Sequence, residues 1–209
     1  WAFYGCDLRG HGQSPGQRGY IGSWDEYRED VRRFIEFVHT KFPTLPLFLM
    51  GYSMGGLMVL EYGLHYQEKL EGIIAMGPAL GDVGISPVLM FFAKILDKLW
   101  PRFSLEAGLE SGGLCRDEEI VEEIENDPLS HGKGTPRLGT ELLKVRAWTR
   151  ANAQDWKLPL LLLHGKADRI AYPEETEQFF SKVSSSDKTI KLYEGAYHEL
   201  DSEPNKDEV

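Results

Sequence analysis

Cysteine is scarce: only Cys6 and Cys115 are present, far apart and without a second thiol or histidine at metal-ligand spacing. That rules out a disulfide framework and supplies no zinc pattern, so the reading assigns no metal and a reducing, cytoplasmic compartment. Basic clusters are missing too. The formal net charge is −10, its acidic residues are spread along the chain, and no run of Lys and Arg could neutralise a line of phosphates, which excludes nucleic acid as a partner. No apolar run approaches the length of a membrane span, and no basic segment followed by an apolar stretch and a cleavage site opens the chain. An initiating Met is also lacking. The chain starts inside the apolar run Trp1-Ala2-Phe3-Tyr4, which reads as a strand already under way, so the expectation is that the natural N-terminus lies upstream.

What is present is an ordinary globular composition, 42% hydrophobic and 27% charged over 209 residues, enough for one domain carrying an insertion. After an irregular loop, Asp7-Leu8-Arg9-Gly10-His11-Gly12-Gln13-Ser14-Pro15-Gly16, Ser23 and Glu26 stand at capping-box spacing. Val31, Phe34, Ile35 and Val38 then recur on one helical face, and Pro43 stops the helix. Leu47-Phe48-Leu49-Met50 reads as a strand buried on both faces. A helix with Leu57, Leu60 and Leu64 follows, and then a strand over Ile73-Ile74-Ala75-Met76. Between about 79 and 156 the alternation gives way to helical stretches, among them an apolar one over 88–100 and an acidic one whose Ile120, Val121 and Ile124 share a face. The strands resume at Leu160 and Thr189, with a helix from Pro173 between them. The predicted class is therefore α/β: a mostly parallel sheet with helices on both faces, core segments 1–78 and 157–209, and a helical insertion over 79–156.

Gly51-Tyr52-Ser53-Met54-Gly55 fits G-x-S-x-G and stands between an apolar strand and an apolar-faced helix, where a nucleophile elbow needs to stand. The turn is tight, so the positions two before and two after the serine should be small; Gly51 and Gly55 meet that demand and Gly56 extends it. The backbone N–H of Met54, at the start of a helix, is a predicted oxyanion donor. A serine hydroxyl needs a base, and six histidines compete. In this strand-to-helix arrangement the acid and then the histidine follow the nucleophile on loops at strand ends, which selects Asp168 and His198. His11 precedes the nucleophile, His39 and His65 lie on helices, and His131 lies in the insertion. His164, at a strand end, is assigned to packing, and Asp201 is too near His198 to reach it from a separate strand.

Together, the run from Asp7 to Ser14, residues 45–56, residues 161–168 and residues 187–198 resemble the monoacylglycerol lipase and lysophospholipase branch of the α/β-hydrolases. The resemblance covers nearly the whole chain and is looser in the insertion. It implies a serine carboxylic-ester hydrolase, with no organic cofactor, whose catalytic residues match Ser53, Asp168 and His198 and whose 79–156 segment caps an acyl pocket. It also implies a small lipid ester as substrate. The apolar stretch 88–100 is either plain core or a surface that lines an acyl tunnel or touches a membrane transiently. The sequence departs from that branch at Tyr52, where a His is common, and it lacks the upstream His-Gly loop that supplies a second oxyanion donor, as well as a full closing helix. Two alternatives stay open: a general carboxylesterase or prolyl-type peptidase using the same residues, and a non-catalytic ligand-binding protein of the same fold.

Overall fold

Strand-sized apolar runs bounded by proline or glycine become one parallel sheet in the computed structural model, which describes residues 2–81, 87–106 and 111–209. In chain order the elements are α1 (Trp24–Lys41), β1 (Phe48–Tyr52), α2 (Met54–His65), β2 (Gly72–Met76), α3 (Pro87–Leu99), β3 (Leu105–Glu106), α4 (Glu118–Asn126), β4 (Lys133–Gly134), α5 (Pro136–Ala151), β5 (Leu160–Gly165), α6 (Pro173–Lys182) and β6 (Lys188–Tyr193). The sheet order is β1-β2-β5-β6, every pairing parallel, with Phe48 opposite Gly72, Ile73 opposite Leu160 and Leu160 opposite Lys188. β3 and β4 form a separate two-stranded antiparallel ladder.

The chain divides into two compact units. One comprises Trp1–Leu45, Ile85–Gly108 and Asp127–Lys144, the other Pro46–Gly84, Leu109–Asn126 and Val145–Val209. The expected insertion, 79–156, is thus shared between both units.

In the first unit α1 buries Trp24, Tyr27, Val31, Ile35 and Val38, while Phe34 is half-buried. Its cap differs from the expected box. The Ser23 side chain makes no cap bond, and the Glu26 carboxylate accepts from Gly22 N–H at 2.9 Å. The irregular loop before α1 is tied to it by Arg9, which grips both Asp30 oxygens at 2.6 and 2.7 Å and Glu26 at 2.8 Å.

The sheet lies wholly in the second unit. α2 buries Leu57 and Leu60 completely, each worth roughly 1.5–3 kcal/mol against exposure. Its Gly63 comes close to Ile73 and to the Trp156 ring, which meets Phe179 of α6 edge-on. A cluster of Met76, Leu163, Tyr193, Ala196 and Leu200 forms around the C-terminal ends of β2, β5 and β6. The acidic α4 has no buried residue, and its Ile120, Val121 and Ile124 are half-buried as a single stripe requires.

Two strand expectations are corrected. Residues 2–4 are irregular and exposed rather than a strand, because a strand exists only through ladder partners and none pairs with them among the described residues. β1 is not buried on both faces: Phe48 is 44% and Met50 45% exposed, since β1 forms the edge of the described sheet. Among the described residues no helix is long and apolar enough to cross a membrane.

Candidate active site

β1 runs straight into α2, and Ser53 sits in the single-residue turn between them. Its φ of 54° and ψ of −117° make it the only described non-glycine residue in the left-handed half of backbone space. Such strain persists only when neighbours enforce it. Here Ser53 N–H donates to the Met76 carbonyl at 2.9 Å, and the Ser53 carbonyl accepts from Leu57 N–H and Ala79 N–H, each at 3.0 Å. Met54 opens α2, so its N–H is one of the donors that the helix itself cannot satisfy.

The glycines around the turn have unequal roles. A Cβ on Gly51 would collide with the Gly55 carbonyl, and one on Gly56 would stand 3.0 Å from Pro78 Cα. A Cβ on Gly55 would meet nothing described within 4 Å, so the expectation that Gly55 must be small is corrected: what its position supplies is the backbone that Gly51 has to clear. We therefore expect Gly51→Ala to destabilise by about 1–3 kcal/mol through overpacking. Gly55→Ala should be neutral or stabilising by up to about 1 kcal/mol, because it replaces glycine within a helix. Urea unfolding of the two variants checks this contrast; equal losses would contradict it.

The loops after β5 and β6 deliver the other two predicted residues. His198 Nε2 lies 2.9 Å from Ser53 Oγ, and His198 Nδ1 lies 2.7 Å from Asp168 Oδ2. An ionised carboxylate can only accept, so Nδ1 carries the proton and Nε2 presents its lone pair to the serine hydroxyl. Asp168 is a crowded acceptor. Its Oδ1 takes the N–H groups of Ile170 and Ala171 at 2.8 and 3.0 Å, and its Oδ2 takes His164 Nε2 at 3.0 Å besides His198. Burial works to raise its carboxyl pKa, but the hydrogen bonds from His164 and His198 outweigh burial and hold it well below the usual carboxylate range.

His164 is the residue that sequence reasoning missed. It is fully buried, as a packing role requires, yet its Nε2 also faces the Ala171 carbonyl at 2.7 Å. With two acceptors before it, Nε2 is the protonated nitrogen, and the Thr176 hydroxyl donates to Nδ1 at 2.9 Å. The only sequence signal was its place four residues before the predicted acid, at the same strand end. Tyr52 lies beside His198 with ring centroids 4.9 Å apart. Burial first, and then the charges of Glu199, Asp168 and Asp201, push its phenol far above its usual pKa, so it stays neutral. His11, His39, His65 and His131 make none of these bonds. Cys6 is exposed and Cys115 buried, both as free thiols.

The family model described as serine aminopeptidase, S33, matches residues 1–205. A monoacylglycerol lipase of Mycolicibacterium smegmatis is 35% identical over 205 residues, which cover 97% of this chain and 73% of that protein. The phospholipase YtpA of Bacillus subtilis is 32% identical, covering 97% of this chain and 79% of its own. Among solved structures, the monoacylglycerol lipase of Paleococcus ferrophilus superposes with a TM-score of 0.89 at 34% identity, over 97% of this chain and 77% of that one.

Proposed function

The chain belongs to the serine aminopeptidase S33 family, hydrolases of the α/β-hydrolase fold, and from that premise we propose that it cleaves lipid monoesters, monoacylglycerols or lysophospholipids, through Ser53, His198 and Asp168. The observation that carries the proposal is the unbroken chain of hydrogen bonds, Ser53 Oγ to His198 Nε2 at 2.9 Å and His198 Nδ1 to Asp168 Oδ2 at 2.7 Å.

Ser53 Oγ attacks the ester carbonyl carbon while His198 Nε2 takes the hydroxyl proton. Asp168 holds the imidazole in the Nδ1–H tautomer and stabilises the imidazolium that forms. The Met54 N–H, at the positive end of α2, donates to the developing oxyanion. Collapse breaks the ester C–O bond, and His198 gives its proton to the departing alcohol. Water then adds to the acyl-serine with the same imidazole as base, and the carboxylic acid leaves. A binding protein would have no use for an imidazole lone pair aimed at a strained serine, which weighs against the non-catalytic alternative.

The lipid part of the proposal draws on the relatives' activities and on 79–156 as a cap-forming insertion that supplies acyl-binding surface. In support, α3 exposes Phe91, Phe92, Ile95 and Leu99, with Trp100 just beyond its end, an apolar display suited to an acyl chain or a membrane surface. Each methylene buried by the protein adds about 0.8 kcal/mol of binding. Medium and long monoacylglycerols should therefore be hydrolysed with much higher kcat/KM than acetate esters of the same alcohol. A substrate panel of monoacylglycerols, lysophospholipids, short aryl esters and aminoacyl amides on the full-length protein tests this. Preference for acetate or aryl esters would make it a general carboxylesterase, and preference for aminoacyl amides would make it the peptidase that the family's description suggests.

A further inference from the structure

The backbone on either side of His198 is held by atoms outside the proposed triad. Just before it, Tyr197 N–H donates to Glu203 Oε1 at 2.8 Å; just after it, Glu199 N–H donates to the Leu114 carbonyl at 2.7 Å. Glu203 is 1% exposed, and its second oxygen accepts from Arg116 Nε–H. The Arg116 guanidinium also donates from Nη2 to Asn205 Oδ1 at 2.7 Å. The same stretch reaches the loop that bears Asp168. Arg169 donates to the Gly112 carbonyl at 2.9 Å, and Gly113 lies against Ile170, whose own N–H serves Asp168.

We propose that residues 112–116 act as a strap that fixes the His198 and Asp168 loops in register with Ser53, with Arg116 and Glu203 as positioning residues for His198. This rests on the triad reading above. A carboxylate as buried as Glu203 is tolerable only beside a fixed counter-charge, so Arg116 decides where Glu203 sits. Glu203 in turn decides where the Tyr197 amide sits, one residue from the base. The Leu114 carbonyl, two residues before Arg116, holds the opposite side. An imidazole pinned through both flanking amides cannot drift from the serine, and a displacement of about 1 Å at such a group costs around 10²-fold in rate. The strap thereby links a segment far from the triad in sequence to the geometry of proton transfer.

The test uses the full-length protein with Arg116→Gln, Arg116→Lys, Arg116→Ala and Glu203→Gln. Measured are kcat and KM on a monoacylglycerol, the rate of Ser53 labelling by a fluorophosphonate, and cooperative melting, with rates counted per labelled site. Arg116→Gln and Glu203→Gln should lower kcat and the labelling rate together by about 10- to 100-fold while KM moves less than about threefold, because substrate contacts are untouched. Arg116→Lys should recover part of the loss, and added guanidinium ion should partly rescue Arg116→Ala. Variants that melt earlier but keep parental kcat per site would overturn the strap, leaving a purely structural ion pair. So would a kcat loss that neither lysine nor guanidinium relieves. If one variant does not fold, the others carry the same comparison. A parent protein that the probe does not label at Ser53 would instead overturn the triad reading, and the strap with it.

Discussion

Ser53→Ala is expected to abolish ester hydrolysis, with kcat falling by about 10⁴-fold or more, because a nucleophile, its base and its orienting acid act as a unit. The fold should survive. Ser53 is only half-buried, and the bonds that enforce its conformation, Ser53 N–H to Met76 and Leu57 and Ala79 to the Ser53 carbonyl, are all backbone bonds that alanine keeps. The variant should unfold at a denaturant concentration close to the parent's and lose fluorophosphonate labelling. Turnover within tenfold of the parent would remove Ser53 from the reaction.

Asp168→Asn should cost nearly as much, about 10³- to 10⁴-fold in kcat, for a different reason. The amide keeps the size of the carboxyl but cannot accept from His198 and His164 at one oxygen and from Ile170 and Ala171 at the other. One of its edges becomes a donor, and facing His198 it would favour the tautomer that points a proton at Ser53. The same residue leaves a mark on stability. Its folded-state pKa is depressed, so the stability it contributes is present in full above the unfolded value of about 4 and is lost as the pH falls from there toward the lower folded value. Unfolding curves collected between about pH 6 and pH 2 should therefore fall more steeply for the parent than for Asp168→Asn. Parallel curves would show that the depressed titration is absent.

These two residues and His198 were legible because each obeys a local rule: serine between two glycines at a strand-to-helix turn, acid and base directly after apolar strands, in chain order. β1, α2, β2, β5, α6 and β6 were legible for a similar reason, since apolar runs ended by proline or glycine leave few other elements to form. Residues 2–4 misled because an apolar run records a wish for burial, whereas a strand also needs a partner for its backbone. Phe48 and Met50 misled in the same way, because the sequence of β1 does not say which strand ends the sheet. Gly55 was overread: the motif names two glycines, but only the backbone path shows that Gly51 is the one being approached. His164 was underread because only the fold of the loop after β5 turns Ala171 and Thr176 toward its ring, and Arg116 because its partners, Glu203 and Asn205, lie far along the chain.

The pairing of β2 with β5 places Ile73 opposite Leu160, so the middle of the sheet joins segments that the whole 79–156 stretch separates. Closing so long a loop is slow compared with forming β1, α2 and β2, which follow one another in the chain and pack on one another. During synthesis from the N-terminus, the serine turn therefore has its flanking elements well before the acid and the base emerge. A nascent chain would carry Ser53 for a time without the residues proposed to activate it, which emerge only with the loops after β5 and β6.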